Sequence, residues 1–280
     1  MSRVSRVIYY YQTFVGLDKL WSHPHDVDVI ILASIHFGTE NGTPYIHLND
    51  HPPTDKIFDK VWDQIDQFST EGVEIILLVG GAGKAFADLF GDYTTYYQLL
   101  KQLIETKTCI KGIELDVEEV VDVKNIKMLI NDLVRDFGEN LIITMAPVSS
   151  AMINDRPGLG GFVYKDLYDS DEGKHISWFN VQCYGEFTED TYENIIKNGY
   201  PPHKIVMGMI SSDFDKNTFH EAIDAVKKIK DKYPSMGGID NWEYFDSPPD
   251  SNDPSEWSKQ INYSINLSNQ SSSNTNAFLQ

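Results

Sequence analysis

The chain alternates between two kinds of segment, and this alternation restricts its fold more than any other feature. Short runs rich in β-branched residues, several of them apolar on both faces, are separated by longer stretches with a helical period. Eight such runs cover residues 7–11, 27–35, 73–79, 112–117, 141–146, 178–184, 204–209 and 237–242. The pattern predicts an α/β protein, either a closed (β/α)8 (TIM) barrel or a doubly wound open sheet.

The stretches between these runs carry helix signals. Asp122 is placed to cap a helix whose apolar residues, within 126–137, form one stripe, and Gly138 is placed to end it. A barrel of this length is commonly a single domain. We therefore predict one barrel domain over residues 1–246.

The composition changes after this point. Residues 247–254 and 268–276 are polar and low in complexity. We predict that residues 247–280 form a flexible C-terminal tail. The stretch from Trp257 to Leu267 is left open as one short packed segment.

The formal net charge of −19 excludes two classes of partner. Such a surface repels a phosphate backbone, so we expect no nucleic acid, and it also disfavours an anionic membrane face. The two cysteines, Cys109 and Cys183, make no disulfide framework, and we expect both to be buried and inert. We expect a monomer. The cellular compartment stays unknown, because the N-terminus shows no secretory signal pattern.

The fourth predicted strand carries three acidic residues on one face. Side chains alternate along a strand, so Glu114, Asp116 and Glu118 share a face. Stacked carboxylates raise one another's pKa, which is what a general acid at neutral pH needs. The alternative is an exposed edge strand with a solvated acidic face. The apolar flanks, and the position at the strand's C-terminal end where barrel enzymes place their sites, favour the barrel interior.

This strand resembles the D-x-x-D-x-D-x-E motif of glycoside hydrolase family 18, the chitinases and endo-β-N-acetylglucosaminidases. Asp116 and Glu118 match the last two acidic positions. Glu114 stands in place of an aspartate, Lys111 in place of the first aspartate, and Val117 where the family usually has an aromatic residue.

Four further segments are similar to motifs of this family and occur in the same order. They are LLVGG at 77–81, TMAP at 144–147, FNVQCY at 179–184 and MGGIDNW at 236–242. The resemblance covers about residues 7–246. Five motifs in order at the spacing of a barrel make it specific.

The resemblance implies substrate-assisted, retaining hydrolysis of β-1,4 linkages between N-acetylglucosamine units. Glu118 would protonate the leaving oxygen and later activate water. Asp116 would bind the acetamide N–H, and Glu114 would share a proton with Asp116. The Tyr184 hydroxyl would donate a hydrogen bond to the acetamide oxygen. No cofactor is implied, and we find no residues with metal-ligand spacing.

The resemblance also implies a sugar-binding set: Trp242, Gln182, Tyr10 and Met145. Trp242 would stack under the sugar, while the facing of Tyr10 is ambiguous within its run of three tyrosines. Only residues 210–235 separate the last two predicted strands, so we predict none of the α+β insertion found there in larger relatives. The resulting open cleft suits endo-acting cleavage.

Three other functions stay open at this stage. A chitinase-like lectin or inhibitor would bind chitin or related oligosaccharides without cutting them, but such proteins usually lack the acid that Glu118 provides here. An endo-β-N-acetylglucosaminidase would act on N-glycans. An unrelated (β/α)8 enzyme would bind a divalent metal at the acidic strand, which the scarcity of suitable histidines disfavours; His36 and His47 are read as surface residues near the barrel mouth.

Overall fold

The computed structural model describes residues 5–266, and its centre is a closed parallel barrel. Eight parallel strands follow one another around the barrel, and β1 closes it by pairing with both β9 and β2. A ninth strand, β3, pairs antiparallel with β2. The strands are β1 (Arg6–Tyr11), β2 (Val29–Glu40), β3 (Thr43–Leu48), β4 (Glu74–Gly80), β5 (Ile110–Asp116), β6 (Ile142–Met145), β7 (Ile176–Gln182), β8 (Ile205–Ile210) and β9 (Gly238–Trp242). The predicted (β/α)8 barrel is confirmed, and the open sheet is excluded.

The helices surround this barrel. They are α1 (Asp18–Trp21), α2 (Asp59–Thr70), α3 (Ala85–Gly91), α4 (Tyr93–Thr106), α5 (Val123–Phe137), α6 (Ser149–Ile153), α7 (Tyr164–Tyr168), α8 (Glu189–Lys197), α9 (Phe219–Lys232) and α10 (Ser255–Asn266). Asp122 caps α5 as predicted, because its side chain accepts from Lys124 N. Between β8 and β9 the chain forms only a short 3-10 turn and α9, so the predicted lack of an inserted domain is confirmed. No helix within residues 5–266 has the length and apolarity needed to cross a membrane.

The β2–β3 hairpin is the main element that the sequence pattern did not predict. Strand β2 continues to Glu40, and Asn41 and Gly42 make the turn with φ of 51° and 81° before Thr43 pairs back with Glu40. An Asn-Gly pair in a two-residue turn is the common hairpin signal, because both residues tolerate positive φ. Most of β3 is only half-buried, which explains its weak apolar pattern.

Strand alternation divides the core into two layers. Inward side chains fill the lower barrel with Ile8, Val29, Ile31, Ile76, Leu78, Trp178 and Val206. The alternate residues of the same strands pack against the helices. The tyrosine run of β1 is resolved in this way: Tyr10 lies in the barrel interior, whereas Tyr9 and Tyr11 belong to the helix-facing layer.

Helix α10 corrects the prediction of a flexible tail. Trp257, Ile261 and Ile265 recur every four residues and are buried against the barrel, so Ser255–Asn266 is an ordered part of the fold. The Tyr9 hydroxyl fixes the start of this helix by donating to Pro254 O at 2.5 Å and accepting from Ser258 N at 3.0 Å. The alternative that the sequence left open, a short packed segment starting near Trp257, is therefore the one that the structure shows. Residues 267–280 lie outside the described residues, and the domain boundary at 246 stays a prediction.

We predict that Trp257→Ala destabilises the protein by roughly 3–5 kcal/mol, because it empties a fully buried indole site. Tyr263→Ala on the same helix is the matched control, since that side chain is 66% exposed and its loss should cost no more than about 0.5 kcal/mol. Denaturant unfolding of the two variants measures the difference. Equal stability of both variants would mean that α10 does not stabilise the barrel.

Candidate active site

Three carboxylates descend from the mouth of the barrel into its interior. Strand β5 lies between β4 and β6, so the edge-strand alternative is excluded. Glu114 is fully buried, Asp116 is 5% exposed, and Glu118, just past the end of the strand, is half-buried. Lys111 is exposed, and its Nζ donates to Thr108 O, on the outside of the barrel. Glu118 is therefore the member of the column that reaches the opening.

Glu114 is held by two neighbouring strands. Its Oε1 accepts from Asn180 Nδ2 at 2.5 Å and from Thr144 Oγ1 at 3.2 Å, while its Oε2 has no hydrogen-bond partner among residues 5–266. Burial raises the pKa of Glu114 to about 7, and hydrogen bonds from its neighbours oppose that rise. This carboxyl group thus changes charge close to neutral pH.

Asp116 lies between two other carboxylates. Burial, then the charge of Glu118, then that of Glu114 hold the pKa of Asp116 well above its usual range. Gln182 connects the upper two groups, since its Nε2 lies 3.4 Å from Asp116 Oδ1 and 3.2 Å from Glu118 Oε1, and also donates to Ala146 O at 2.9 Å. The column is thus held by neutral donors.

No cation balances these charges in the part of the chain that the structure describes. None of the ion pairs within residues 5–266 includes Glu114, Asp116 or Glu118. Ionising every member together is costly, because like charges in a low-dielectric interior repel strongly. The set therefore retains protons at neutral pH, which is what proton-transfer chemistry requires.

Aromatic residues form the opposite wall. The rings of Tyr10 and Trp242 pack with their centroids 5.1 Å apart, and Trp242 is partly exposed at the end of β9. Glu243, the next residue, accepts from Gln12 N and Thr13 N, each at 2.8 Å, and so ties the end of β1 to β9. This tie fixes the two rings relative to each other.

Tyr184 follows β7 on the inward parity of Gln182. Burial raises the pKa of its hydroxyl well above the usual range, and the charges of Asp240, Asp116, Glu114 and Glu118 add to the rise. The hydroxyl therefore stays protonated at neutral pH. It is a donor that faces the carboxylate column.

One predicted binding residue does not reach this site. Met145 is fully buried in the helix-facing layer, so its assignment to sugar binding is wrong. The reason is strand alternation: Thr144, its neighbour on β6, takes the inward position and contacts Glu114. The TMAP segment does lie beside the site, but Thr144 and not Met145 is its inward residue.

Several inward residues were not singled out from the sequence. Asn180 lies two residues before Gln182, and Asp240 two residues before Trp242, so strand parity alone would have found both. Asp240 is 2% exposed and is a fourth carboxyl group in the barrel interior. Glu119 accepts from Phe86 N at 2.7 Å and thereby fixes the loop beside Glu118.

His36, His47 and the two cysteines lie apart from the carboxylate column. His36 Nε2 is 2.8 Å from Ser34 Oγ, and the His47 ring stacks on Tyr45 in the hairpin, with centroids 3.9 Å apart. Burial lowers the pKa of both histidines. Cys109 and Cys183 are free and buried. Within residues 5–266 no group of three or more His, Cys, Asp or Glu side chains is arranged to hold a metal ion.

Comparisons with known proteins give the class. A fungal endo-β-N-acetylglucosaminidase of glycosyl hydrolase family 18 is similar at 28% identity and a TM-score of 0.82, over 94% of this chain and 98% of that one. A chitinase from Aspergillus fumigatus is similar at 29% identity and 0.79, over 88% and 94% of the two chains. A family 18 chitinase from Pseudoalteromonas aurantia, at 20% identity and 0.66 over 93% and 100%, shares the fold. No protein-family model and no curated protein matches the chain.

The protein is a closed barrel with carboxylates at its C-terminal mouth whose exposure increases from Glu114 to Glu118. It is similar to these enzymes over most of its length, and it is a glycoside hydrolase. Within that class the chain resembles family 18 and is chitinase-like. The resemblance found from five sequence motifs is thereby confirmed.

Proposed function

We propose that the protein hydrolyses β-1,4 linkages between N-acetylglucosamine units with retention of configuration, using the substrate's own acetamide as nucleophile. The observation that carries this proposal is the carboxylate column, in which only Glu118 reaches the opening above the buried Asp116 and Glu114. A single accessible acid cannot also act as the nucleophile of a two-carboxylate mechanism, so an internal nucleophile from the sugar fits better.

In this mechanism Glu118 serves first as acid and then as base. It gives its proton to the glycosidic oxygen while the acetamide oxygen attacks the anomeric carbon, so that the C–O bond breaks and a cyclic oxazolinium ion forms. The Glu118 carboxylate then takes a proton from water. The resulting hydroxide equivalent adds to the anomeric carbon and restores the acetamide.

Asp116 and Tyr184 orient the acetamide in this scheme. The Asp116 carboxylate accepts the acetamide N–H and stabilises the positive charge of the intermediate, and the Tyr184 hydroxyl donates to the acetamide oxygen. Asp116 must be ionised for this role. Glu114, which titrates near neutrality directly below, is suited to receive the proton that Asp116 gives up.

Trp242 and Tyr10 provide the surface on which the sugar lies. The apolar face of a pyranose ring stacks well on an indole, and the tie from Glu243 to the loop after β1 holds this surface rigid. Because only a short 3-10 turn and α9 connect β8 to β9, no inserted domain roofs the cleft. An unroofed cleft admits the middle of a chain, which supports endo-acting cleavage of chitin or a related oligosaccharide.

A second candidate substrate is the N-acetylglucosamine pair of an N-glycan. The likeness to the fungal endo-β-N-acetylglucosaminidase, at a TM-score of 0.82, favours it. Incubation with a fluorogenic chitotriose and with a high-mannose glycoprotein decides between the two. Cleavage of neither, combined with measurable binding of either, would instead support a carbohydrate-binding protein.

We predict that Glu118→Gln retains the fold and sugar binding but loses about 10²–10⁴-fold in kcat, because the amide has no proton to donate. Glu105→Gln, an exposed position on α4, is the matched control and should keep wild-type turnover. Initial rates on the cleaved substrate, with binding measured by calorimetry, provide the test. Wild-type turnover in Glu118→Gln would show that another group is the acid.

We predict that thiazoline analogues of N-acetylglucosamine oligomers inhibit the enzyme more strongly than the matching oligomers, because they mimic the cyclic intermediate. A substrate with a free amine in place of the acetamide at the cleaved unit should not be hydrolysed. Inhibition constants and product analysis are the measurements. Normal cleavage of the deacetylated unit would rule out participation of the acetamide.

We predict that Glu114→Gln reduces kcat less than Glu118→Gln and moves the acidic limb of the kcat–pH profile to lower pH. The charge of Glu114 helps to raise the pKa of Asp116, so its removal lets Asp116 ionise at lower pH. Parallel kcat–pH profiles of wild type and variant test this. An unchanged acidic limb would mean that Glu114 has only a structural role.

A further inference from the structure

Asp240 is a buried carboxyl group for which the proposed mechanism has no use. It points into the barrel from β9, two residues before Trp242, and is 2% exposed. Its Oδ2 has no hydrogen-bond partner among residues 5–266, and none of their ion pairs includes it. An ionised carboxylate in such a place is costly, so the group needs either a proton or a donor.

The neighbouring strand leaves room for this carboxyl group. Gly208 on β8 pairs with Asp240, and a Cβ at Gly208 would lie 2.7 Å from Asp240 Oδ1 and 2.8 Å from Val181 O. Any larger residue at position 208 would displace the carboxylate. The titratable groups that act on Asp240 or feel its charge are Tyr10 on β1, Glu114 on β5, and Cys183 and Tyr184 after β7.

Glu114 approaches the same space from the opposite wall. Strands β5 and β9 are four places apart in the closed ring of eight, so their inward side chains face each other across the barrel. Glutamate is one methylene longer than the aspartate that the family motif has at this position, and the charge of Glu114 acts on both Tyr10 of β1 and Asp240 of β9. Its Oε2, like Asp240 Oδ2, is a buried carboxyl oxygen with no partner at hydrogen-bond distance among the described residues, and the Tyr10 hydroxyl is a further donor that lowers the pKa of Glu114.

We propose that Asp240 is a positioning residue that shares a proton with Glu114 across the barrel, donating it to the Glu114 oxygen that lacks a partner. One shared proton gives both orphan oxygens a partner and avoids two charges in one apolar space. Burial and the charge of Glu114 hold the pKa of Asp240 well above its usual range, which favours a proton on this carboxyl group. The Asn180 and Thr144 bonds to Glu114 Oε1 are unaffected.

The first test measures stability and needs no substrate. A carboxyl group with a raised pKa in the folded state loses stability as pH rises from about 3.9, its unfolded value, towards the folded pKa. Asp240→Asn keeps a donor and removes this loss. The Tm of the variant relative to wild type should therefore be higher at pH 8 than at pH 4 by at least ~3 °C. Asp190→Asn, an exposed change of equal charge, should show no such difference.

The second test asks whether the two carboxyl groups act together. At pH 8 the double variant Glu114→Gln/Asp240→Asn should gain less Tm than the sum of the single variants, because each single variant already removes part of the cost of keeping the shared proton. Additive gains would show two independent carboxyl groups and overturn the proposal. An equal Tm difference at pH 4 and pH 8 in Asp240→Asn would overturn it as well.

The third test concerns turnover and rests on the proposed function. Asp240→Val removes the donor to Glu114, so Glu114 keeps its proton to higher pH and raises the pKa of Asp116 less. The acidic limb of the kcat–pH profile should therefore move to lower pH, while Asp240→Asn should keep the limb and a kcat within about threefold of wild type. If both variants keep the wild-type limb, Asp240 does not act through Glu114. If the Val variant fails to fold, the two stability tests still decide. A protein that cuts no substrate contradicts the proposed function but leaves the stability tests intact.

Discussion

The structure depends on one constraint, which is that a closed barrel of eight strands gives every second residue a place in a shared and nearly dry interior. In the lower barrel this space is filled by Ile8, Val29, Ile76 and similar side chains, which is favourable without further help. In the upper barrel the same parity brings in Glu114, Asp116, Asn180, Gln182 and Asp240. These groups must satisfy one another, because they cannot turn away from the interior without disrupting their strands.

The way these polar groups are satisfied determines what the site can do. Asn180, Thr144 and Gln182 supply neutral donors to the carboxylates. A lysine or arginine there would fix the carboxylates in the ionised state and lower their pKa. Amide and hydroxyl donors instead hold the geometry and leave the protons mobile. Because no cation neutralises the carboxylate column, its members keep raised pKa values in the folded protein, and their protons can be transferred.

How much was predictable follows from the same alternation. The eight barrel strands and the acidic face of β5 follow from period-two patterning, which sequence shows directly. The same alternation determines which side chains point inward, but only once one residue of the strand has been placed. Tyr9 therefore had to be located before Tyr10 could be assigned, and Thr144 before Met145. The hairpin strand β3 was missed because its residues are half-buried and lack an apolar face.

Strand parity could not show that helix α10 is ordered, or that Asp240, an inward residue by parity, is buried. Both depend on contacts distant in sequence: Tyr9 with Pro254 and Ser258, and Gly208 with Asp240. A polar segment such as 247–266 resembles a free tail until the surface that buries Trp257 is known. Asp240 looks like one of many surface acids until β9 is seen to be enclosed between β8 and β1.

The two walls of the site have different physical requirements. On the β9–β1 side, Glu243 locks the loop after β1, and Trp242 and Tyr10 form a rigid surface whose value lies in its shape. On the β5–β7 side, the pKa of Asp116 is held well above its usual range and Tyr184 keeps its hydroxyl proton, so in the proposed mechanism this wall acts through its electrostatics. Asp240 projects from the first wall and acts on the second. In our proposal, a change at Asp240, two residues before Trp242, therefore alters the protonation of the β5–β7 wall.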